Sequence, residues 1–182
     1  MEENKRLLTS DCSFANVKPI MVDLPYPKIQ VRERNLDYAN LISVDYCGSV
    51  SELSAITQYI NNENRMFCDR CPIAKTILGI AMAEMMHLQK LGELITLLGG
   101  TIDFSAKYSN GKSVMWTPEC LTIPKKVENM LLADIESERD AISQYRKHIK
   151  MIDDDCVNAV LERIIKDEEY HIFILQVLLE EL

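Results

Sequence analysis

Two short stretches decide the fold, Glu52–Tyr59 (ELSAITQY) and Glu138–Tyr145 (ERDAISQY). Both read Glu-x-x-Ala-Ile-x-Gln-Tyr, so one segment occurs twice in a chain of 182 residues. Each stretch is followed downstream by a Glu-x-x-His motif, at Glu84–His87 and at Glu168–His171. Duplication of one helical hairpin explains this repeat, and it predicts two hairpins related by a pseudo-two-fold axis.

Apolar spacing and helix-end residues predict four helices, over residues 35–62, 72–99, 124–152 and from about 155 to the C-terminus. Asn35 is an N-cap residue, and Pro72 suits the first turn of a helix. Gly99-Gly100 is a strong C-terminal stop, and the acidic run 153–155 caps the fourth helix. We therefore predict an all-α four-helix bundle.

The connections between the helices differ in length. Two of them are short, whereas residues 101–123, with turn signals and no clear period, join the second helix to the third. Such a segment can cross a bundle that is roughly 40 Å long at about 1.5 Å per residue. Residues 1–34 contain three prolines and no sustained helical period, so we expect an extended arm at 1–34 on the outside of a bundle at 35–182.

The composition is that of an ordinary acidic globular protein, with 47% hydrophobic residues, 26% charged residues and a net charge of −8. This balance argues against non-specific nucleic-acid binding, which needs a basic face. The sequence has neither an apolar run of the ~18–20 residues that a membrane span needs nor a secretory start. We expect a cytoplasmic protein, whose six cysteines are too sparse for a disulfide-stapled miniprotein.

The acidic residues of the repeat are predicted to point into the bundle. Glu138 shares a helical face with Ile135 and Ile142, whereas Glu136 falls about 200° away among polar residues. The same test predicts inward positions for the equivalent residues of the other motifs, Glu52, Glu84, His87, Glu168 and His171. Four carboxylates and two imidazoles are therefore expected in one small core.

Buried carboxylates are strongly unfavourable unless something compensates their charge. Two divalent cations would neutralise four glutamates, and a Glu and a His at i, i+3 lie on one helix face. Oxygen ligands with one imidazole per metal suit Fe or Mn better than Ca, Mg or thiolate-bound Zn. The sequence thus predicts two divalent Fe or Mn ions; the alternative is a set of buried acids satisfied by hydrogen bonds alone.

At these motifs the chain resembles the ferritin-like di-metal carboxylate family, nearest its rubrerythrin and manganese-catalase side. The resemblance covers residues 35–182 and includes Leu-Gly-Glu-Leu after His87 and Asp-Glu-Glu-Tyr-His at 167–171. It implies a ferritin-like bundle in which Glu84 and Glu168 bridge the two metals. Glu52 with His87 would complete one metal site, and Glu138 with His171 the other.

The resemblance also implies supporting roles. Tyr59 and Tyr145, two turns beyond the terminal glutamates, would donate hydrogen bonds to carboxylates and act with Glu84 and Glu168 in catalysis. Asp167 would accept the free ring N–H of His87, as partners of ligand histidines commonly do. The equivalent position in the first half is Ala83, so the two halves differ there.

Two departures separate the chain from rubrerythrins. Those proteins carry a further glutamate one turn after the helix-three ligand, where this chain has Ala141. They also carry a rubredoxin module with two Cys-x-x-Cys pairs, whereas only Cys68–Cys71 is present here. That pair lies about 20 Å before Glu84 at helical rise, so it is either an inert loop pair or a redox or intermolecular-metal site.

The leading functional hypothesis is a dimetal oxidoreductase that acts on H2O2 or O2, peroxidase-like or catalase-like, in oxidative-stress defence. Its electron donor is unknown, and a homodimer or larger homo-oligomer is expected. One alternative is a ferroxidase or iron-storage protein; another is a non-catalytic, spore-coat-like assembly protein with a structural dimetal site. His148 is predicted to be a surface residue outside this chemistry.

Overall fold

A computed structural model describes residues 12–182, and the described chain is mostly helical, as the sequence predicts. Its helices are α1 Leu36–Cys47, α2 Glu52–Met66, α3 Cys71–Leu97, α4 Val127–Met151 and α5 Asp155–Glu180. The connection between α3 and α4 contains strands β1 Ser105–Lys107 and β2 Ser113–Met115 and a 3-10 turn at Pro118–Cys120. Among the described residues, no helix combines the length and apolar character needed to cross a membrane.

Helices α1 and α2 together form the first rod of the four-helix bundle, so the prediction of one unbroken helix over 35–62 is wrong. The rod is interrupted at residues 48–51 and then continues to Met66. Gly48 ends α1 at a point where a Cβ would lie 2.6 Å from the carbonyl oxygen of Val44. Ser51 starts α2 as its N-cap, because its hydroxyl accepts a hydrogen bond from the Ser54 N–H. Two strong local end signals therefore override the apolar period.

The long connection crosses the bundle, as predicted. Near one end of the bundle, the Asn35 N–H donates to the Leu98 carbonyl, so α1 starts where α3 ends. At the other end, Arg65 of α2 donates to the carbonyl of Pro124, just before α4 starts. Helices α3 and α4 consequently run in the same direction, and residues 98–126 traverse the bundle between them.

The crossing segment is more regular than the sequence indicates. Strands β1 and β2 pair antiparallel, with Ser105 opposite Met115 and Lys107 opposite Ser113. Gly111, with φ +80°, provides the left-handed position in the connecting loop. Strands of three residues are shorter than the window in which an alternating pattern can be recognised, which explains why the hairpin was not predicted.

Residues 12–34 contain no helix or strand and lie along α3 and α5, and residues 1–11 of the predicted arm are outside the described residues. The Ile20 N–H donates to the Gly79 carbonyl of α3 at 2.9 Å. Arg163 of α5 donates to the Val22 and Leu24 carbonyls. A Cys12–Cys71 disulfide, which the cysteine count did not predict, links the arm to the first residue of α3.

The apolar core consists of two clusters with a polar layer between them. On α3, Ile80 belongs to one cluster and Leu91 to the other. On α5, Ile165 and Leu175 are divided in the same way. The residues between these pairs, 84–87 on α3 and 168–171 on α5, carry the two Glu-x-x-His motifs. The fold thus positions the motifs at the middle of the bundle.

Candidate metal centre

The six inward residues meet in the polar layer, and each is at most 3% exposed. Their ligand atoms form two overlapping groups, in each of which all atoms lie within 4.8 Å of one another: Glu52, Glu84, His87 and Glu168, and Glu84, Glu138, Glu168 and His171. Every rod of the bundle contributes at least one carboxylate. The structure therefore brings together the six side chains that helical spacing directs inward.

Glu84 and Glu168 belong to both groups, because each presents one oxygen to each histidine. Glu84 places Oε2 2.8 Å from Nδ1 of His87 and Oε1 2.9 Å from Nδ1 of His171. Glu168 places Oε1 3.3 Å from Nδ1 of His87 and Oε2 2.9 Å from Nδ1 of His171. These two carboxylates lie where bridging ligands of a dimetal centre would lie.

Glu52 and Glu138 each face only one histidine. Glu52 Oε2 lies 3.5 Å from Nδ1 of His87, and Glu138 Oε1 lies 3.4 Å from Nδ1 of His171. The two imidazole ring centroids are 6.0 Å apart. The site therefore has the pseudo-two-fold arrangement that the sequence repeat indicates.

The two tyrosines of the repeat lie beside the terminal glutamates. The Tyr145 hydroxyl donates to Oε1 of Glu52, and the Tyr59 hydroxyl donates to Oε1 of Glu138. Each tyrosine therefore supports the glutamate of the opposite half, a crossing that spacing along one helix cannot show. Burial, together with the adjacent carboxylate, raises the pKa of both tyrosines well above its usual value, so both remain neutral donors.

The Nε2 atoms of the two histidines, which face away from the glutamate cluster, have different partners. His87 Nε2 lies 3.1 Å from Oδ2 of Asp167, and His171 Nε2 lies 2.8 Å from the Ile20 carbonyl. Both partners accept hydrogen bonds, so each Nε2 carries a proton and Nδ1 is directed toward the carboxylates. Ala83 occupies the position equivalent to Asp167 but has no side chain that could accept a hydrogen bond from His171, so the arm supplies this partner through the Ile20 carbonyl. No sequence motif marked Ile20.

Asp167 is itself held by three further groups. Arg163 lies 2.7 Å from Oδ1, the Val22 N–H donates to Oδ1 at 2.8 Å, and the Tyr26 hydroxyl donates to Oδ2 at 2.7 Å. Burial opposes ionisation, but the hydrogen bonds from His87, Arg163 and Tyr26 outweigh it and lower the pKa of Asp167 to about 2. Asp167 therefore stays ionised at neutral pH and fixes the orientation of the His87 ring.

The carboxylates and imidazoles shift one another's protonation. Burial and the charges of Glu84 and Glu168 raise the pKa of both terminal glutamates, Glu52 and Glu138, well above its usual value. Burial also disfavours the charged form of Glu84, but the two histidines outweigh it and hold its pKa well below the usual range. Burial lowers the pKa of each histidine, but the surrounding carboxylates raise it well above its usual value. Protons thus balance the buried negative charge when no cation is bound.

Four buried atoms of the cluster make no hydrogen bond of acceptable geometry among the described residues, even where a polar atom is 2.9 Å away: Glu52 Oε2, Glu84 Oε1, Glu168 Oε2 and His171 Nδ1. Leaving a buried polar atom unpaired costs on the order of 1–3 kcal/mol. All four atoms belong to residues of the two overlapping groups and are carboxylate oxygens or an imidazole nitrogen, which are typical metal-ligand atoms. They fit divalent transition ions, whose positive charge would replace the protons.

A cavity of about 220 Å³ reaches the cluster between α2 and α4 and is lined by all four glutamates. Neither histidine lines it, so the histidines lie on the other side of the carboxylates. Ala55 and Ala141, which occupy equivalent positions in the repeat, form part of its wall. The small side chain of Ala141 thus leaves space where a rubrerythrin would carry a glutamate.

The crossing segment covers one side of this cavity. Trp116 Nε1 donates to the Ser54 hydroxyl at 2.9 Å, and the Thr122 N–H donates to Oε1 of Gln58 at 2.9 Å. Thr122 is itself part of the cavity wall. The long connection therefore contributes to the surroundings of the site as well as joining the hairpins.

Two buried aspartates that sequence analysis missed cross-link the halves of the repeat. Gln58 and Asn62 donate to Asp134 at 2.9 and 3.0 Å. At the equivalent positions of the other half, Gln144 donates to Asp45 at 2.8 Å, and His148 Nδ1 lies 2.8 Å from Asp45. His148 is only 5% exposed, so its prediction as a surface residue is wrong. Comparison of the tyrosine-flanking positions, Gln58 with Gln144, is the signal that could have found these pairs.

The fold and the cluster define a four-helix bundle with a carboxylate–imidazole centre, and comparison with known proteins agrees. The family model of the ferritin-like domain matches residues 72–182, which is more than half of the chain, so the chain belongs to that family. A probable manganese catalase of Clostridium acetobutylicum is 24% identical over an alignment of 164 residues, and the match covers 79% of this chain and 71% of the relative. Within the family, the chain is thus similar in sequence to a probable manganese catalase.

Solved structures show the same fold. The manganese catalase KatB from Anabaena matches with a TM-score of 0.77 and 24% identity, covering 87% of this chain and 78% of that chain. Bacterioferritin from Rhodobacter capsulatus matches with a TM-score of 0.62 and 20% identity, covering 81% and 86% of the two chains. Bacterioferritin BfrA from Mycobacterium tuberculosis gives a TM-score of 0.62 and 25% identity, covering 81% and 87%.

Proposed function

We propose that the protein is a dimetal oxidoreductase that acts on hydrogen peroxide with two Fe or Mn ions. The observation that carries this proposal is the pair of glutamates, Glu84 and Glu168, that each face both histidines within 3.3 Å. Glu52 and Glu138 complete the two halves. The relationship to manganese catalases supports peroxide as the substrate rather than O2.

The chain supplies ligands, orientation and a confined space. When bound, the two ions would supply the electron exchange that the protein's own side chains cannot provide. Asp167 and the Ile20 carbonyl fix the two imidazoles, and the tyrosine hydroxyls fix Glu52 and Glu138. The cavity brings a small polar substrate to the carboxylate side of the centre.

The terminal glutamates are the proposed contact between the cavity and the centre. Glu52 and Glu138 both line the cavity, and each accepts a hydrogen bond from a neutral tyrosine. In this proposal the tyrosine hydroxyls hold the two carboxylates in place at the cavity wall.

Metal content and peroxide turnover of Glu138→Gln and Glu136→Gln test the proposal. Glu136 lies two residues from Glu138, but its side chain is 66% exposed, so it is a matched control. We expect the wild type and Glu136→Gln to retain Fe or Mn and to consume peroxide, and Glu138→Gln to lose at least ~100-fold in rate. A wild-type protein that, supplied with either metal, binds neither or leaves peroxide unchanged contradicts the proposal.

The products distinguish the chemistries. Release of one O2 for every two peroxides, with no added reductant, identifies a catalase; consumption that requires an added electron donor identifies a peroxidase.

The bacterioferritin-like fold favours ferroxidase activity as a second candidate. That candidate predicts rapid Fe(II) oxidation and a shell of hundreds of kilodaltons on size-exclusion chromatography. A homodimer or small homo-oligomer that turns over peroxide favours the first proposal, and an assembly that binds metal without redox turnover favours a structural role.

A further inference from the structure

Three cysteines lie where the arm meets the start of α3. Cys12 of the arm and Cys71, the first residue of α3, form a disulfide. Cys68 lies three residues before Cys71, in the turn after α2, and is a free, exposed thiol. A free thiol in a Cys-x-x-Cys motif whose second cysteine is in a disulfide has the components that thiol–disulfide exchange requires.

We propose that Cys12, Cys68 and Cys71 form a thiol–disulfide exchange site that links the N-terminal arm covalently to α3 or releases it. The Cys68 thiolate attacks Sγ of Cys71; the Cys68–Cys71 bond forms as the Cys12–Cys71 bond breaks, and Cys12 leaves as a thiolate. The proton that Cys68 releases to solvent is balanced by the proton that Cys12 takes up. One disulfide remains throughout, so the exchange needs no external oxidant or reductant.

The exchange affects the metal centre because the arm supplies the hydrogen-bond partner of His171 and helps to hold Asp167, the partner of His87. The first arm contact after Cys12 that reaches the centre is at Ile20, whose N–H donates to Gly79 and whose carbonyl accepts from His171. Untying Cys12 leaves this contact without its covalent support. The next contacts, from Val22 and Tyr26 to Asp167, are reinforced by Arg163.

The expected effect is consequently asymmetric. The His171 half depends on a single backbone carbonyl close to the exchange site, whereas the His87 half depends on Asp167, which has several partners. The exchange should loosen the His171 half first. This link to metal retention rests on the proposed function, whereas the exchange itself and the loosening of the arm do not.

Disulfide mapping tests the exchange. The metal-free protein is incubated at pH 8.5, alkylated rapidly and digested for mass spectrometry, with Cys68→Ser as the test variant. Cys156→Ser, which removes a partly exposed free thiol on α5, is the control. We expect at least about a tenth of the wild type and of the control to carry the Cys68–Cys71 bond. Complete alkylation of Cys68, with Cys12–Cys71 as the sole disulfide of the three, overturns the proposal.

Hydrogen exchange of the metal-free protein tests the consequence for the arm. In Cys12→Ser, the amides of Ile20 and Val22 should exchange several-fold faster than in the wild type, while the Arg32 amide, which donates to Asp154, stays protected. Equal protection of Ile20 in both proteins overturns the proposal. With metal bound, a chelator should remove one of the two ions several-fold faster from Cys12→Ser. Removal at wild-type rates, despite a loosened arm, overturns the link to the centre but leaves the proposed function intact.

Discussion

At the residue scale, the central feature is that Glu84 and Glu168 offer one oxygen to each imidazole. The distances from these four oxygens to the Nδ1 atoms lie between 2.8 and 3.3 Å. Replacing either side chain therefore removes a potential metal ligand from both halves of the centre. Replacing Glu52 or Glu138 removes a ligand from one half and leaves the other half complete. The two classes of glutamate should thus differ in metal stoichiometry.

The stoichiometry of four glutamine variants tests this difference. Glu52→Gln and Glu138→Gln should each retain one tightly bound ion per chain, whereas Glu84→Gln and Glu168→Gln should weaken both sites. The measurement is metal content by elemental analysis after extensive dialysis, with circular dichroism to confirm that each variant remains helical. Equal losses in all four variants would show that the two classes are not distinct.

The hydrogen bond from His87 to Asp167 provides a second residue-scale prediction. Asp167→Asn leaves a neutral amide beside His87, so the ring loses a charged acceptor and its Nδ1 becomes a weaker ligand. Replacement of such partners typically costs about 10–100-fold in metal affinity. Asp153→Asn, at a side chain that is 96% exposed, is the control. Competition with a chelator measures both affinities; unchanged affinity in Asp167→Asn argues against this role.

At the scale of elements, the arm is packed against α3 at Gly79. A Cβ at this position would lie 2.9 Å from the Ile20 side chain and 3.0 Å from the Lys18 carbonyl. Gly92, on the same helix, has room, because a Cβ there would lie 3.4 Å from the Tyr46 ring. The two glycines share a helical backbone but differ in their neighbours.

This pair yields a matched prediction. Gly92→Ala should raise the free energy of unfolding by up to about 1 kcal/mol, since alanine is the better helix former. Gly79→Ala should gain less or lose stability, because the arm has to shift, and it should also release metal faster as the Ile20 carbonyl moves away from His171. Denaturant unfolding and chelator extraction measure the two effects. A stabilised Gly79→Ala with unchanged metal release would contradict the proposed role of the arm.

Much of the bundle and the clustering of its polar residues follow from local signals. Helical period, the cap at Asn35 and the Glu-x-x-His spacing act within a few residues of one another, so a sequence reveals them. The contact of Ile20 with His171 spans 151 residues and uses a backbone carbonyl, which no side-chain pattern encodes. Burial of His148 likewise depends on Asp45 of another helix. Partnerships of this kind are made by tertiary packing and become visible only in the folded chain.

At the scale of the whole molecule, the buried charge links metal binding to pH. In the metal-free protein the pKa values of Glu52, Glu138, His87 and His171 are all raised by folding. These groups hold protons in the folded state that the unfolded chain has released. Bound metal would displace those protons, so affinity should fall as the pH is lowered.

The stability of the metal-free protein should consequently decrease as the pH rises from 6 to 8.5. A group with a raised folded pKa contributes stability below its unfolded pKa and loses it as the pH passes through the folded pKa, by roughly 1.4 kcal/mol per pH unit for each proton. The opposite contribution of Asp167, whose pKa is lowered to about 2, is lost only in acid. Urea unfolding at several pH values, with and without Mn, measures the effect. A metal-free protein that becomes more stable across this range contradicts the assignment.

The most direct test of the central claim is anomalous diffraction from crystals grown with Mn or Fe, recorded on both sides of each absorption edge. We expect two peaks per chain, both between Glu84 and Glu168, one beside Glu52 and His87 and the other beside Glu138 and His171. Crystals that grow with ample metal, yet show one peak, no peak, or peaks away from these six side chains, would contradict it.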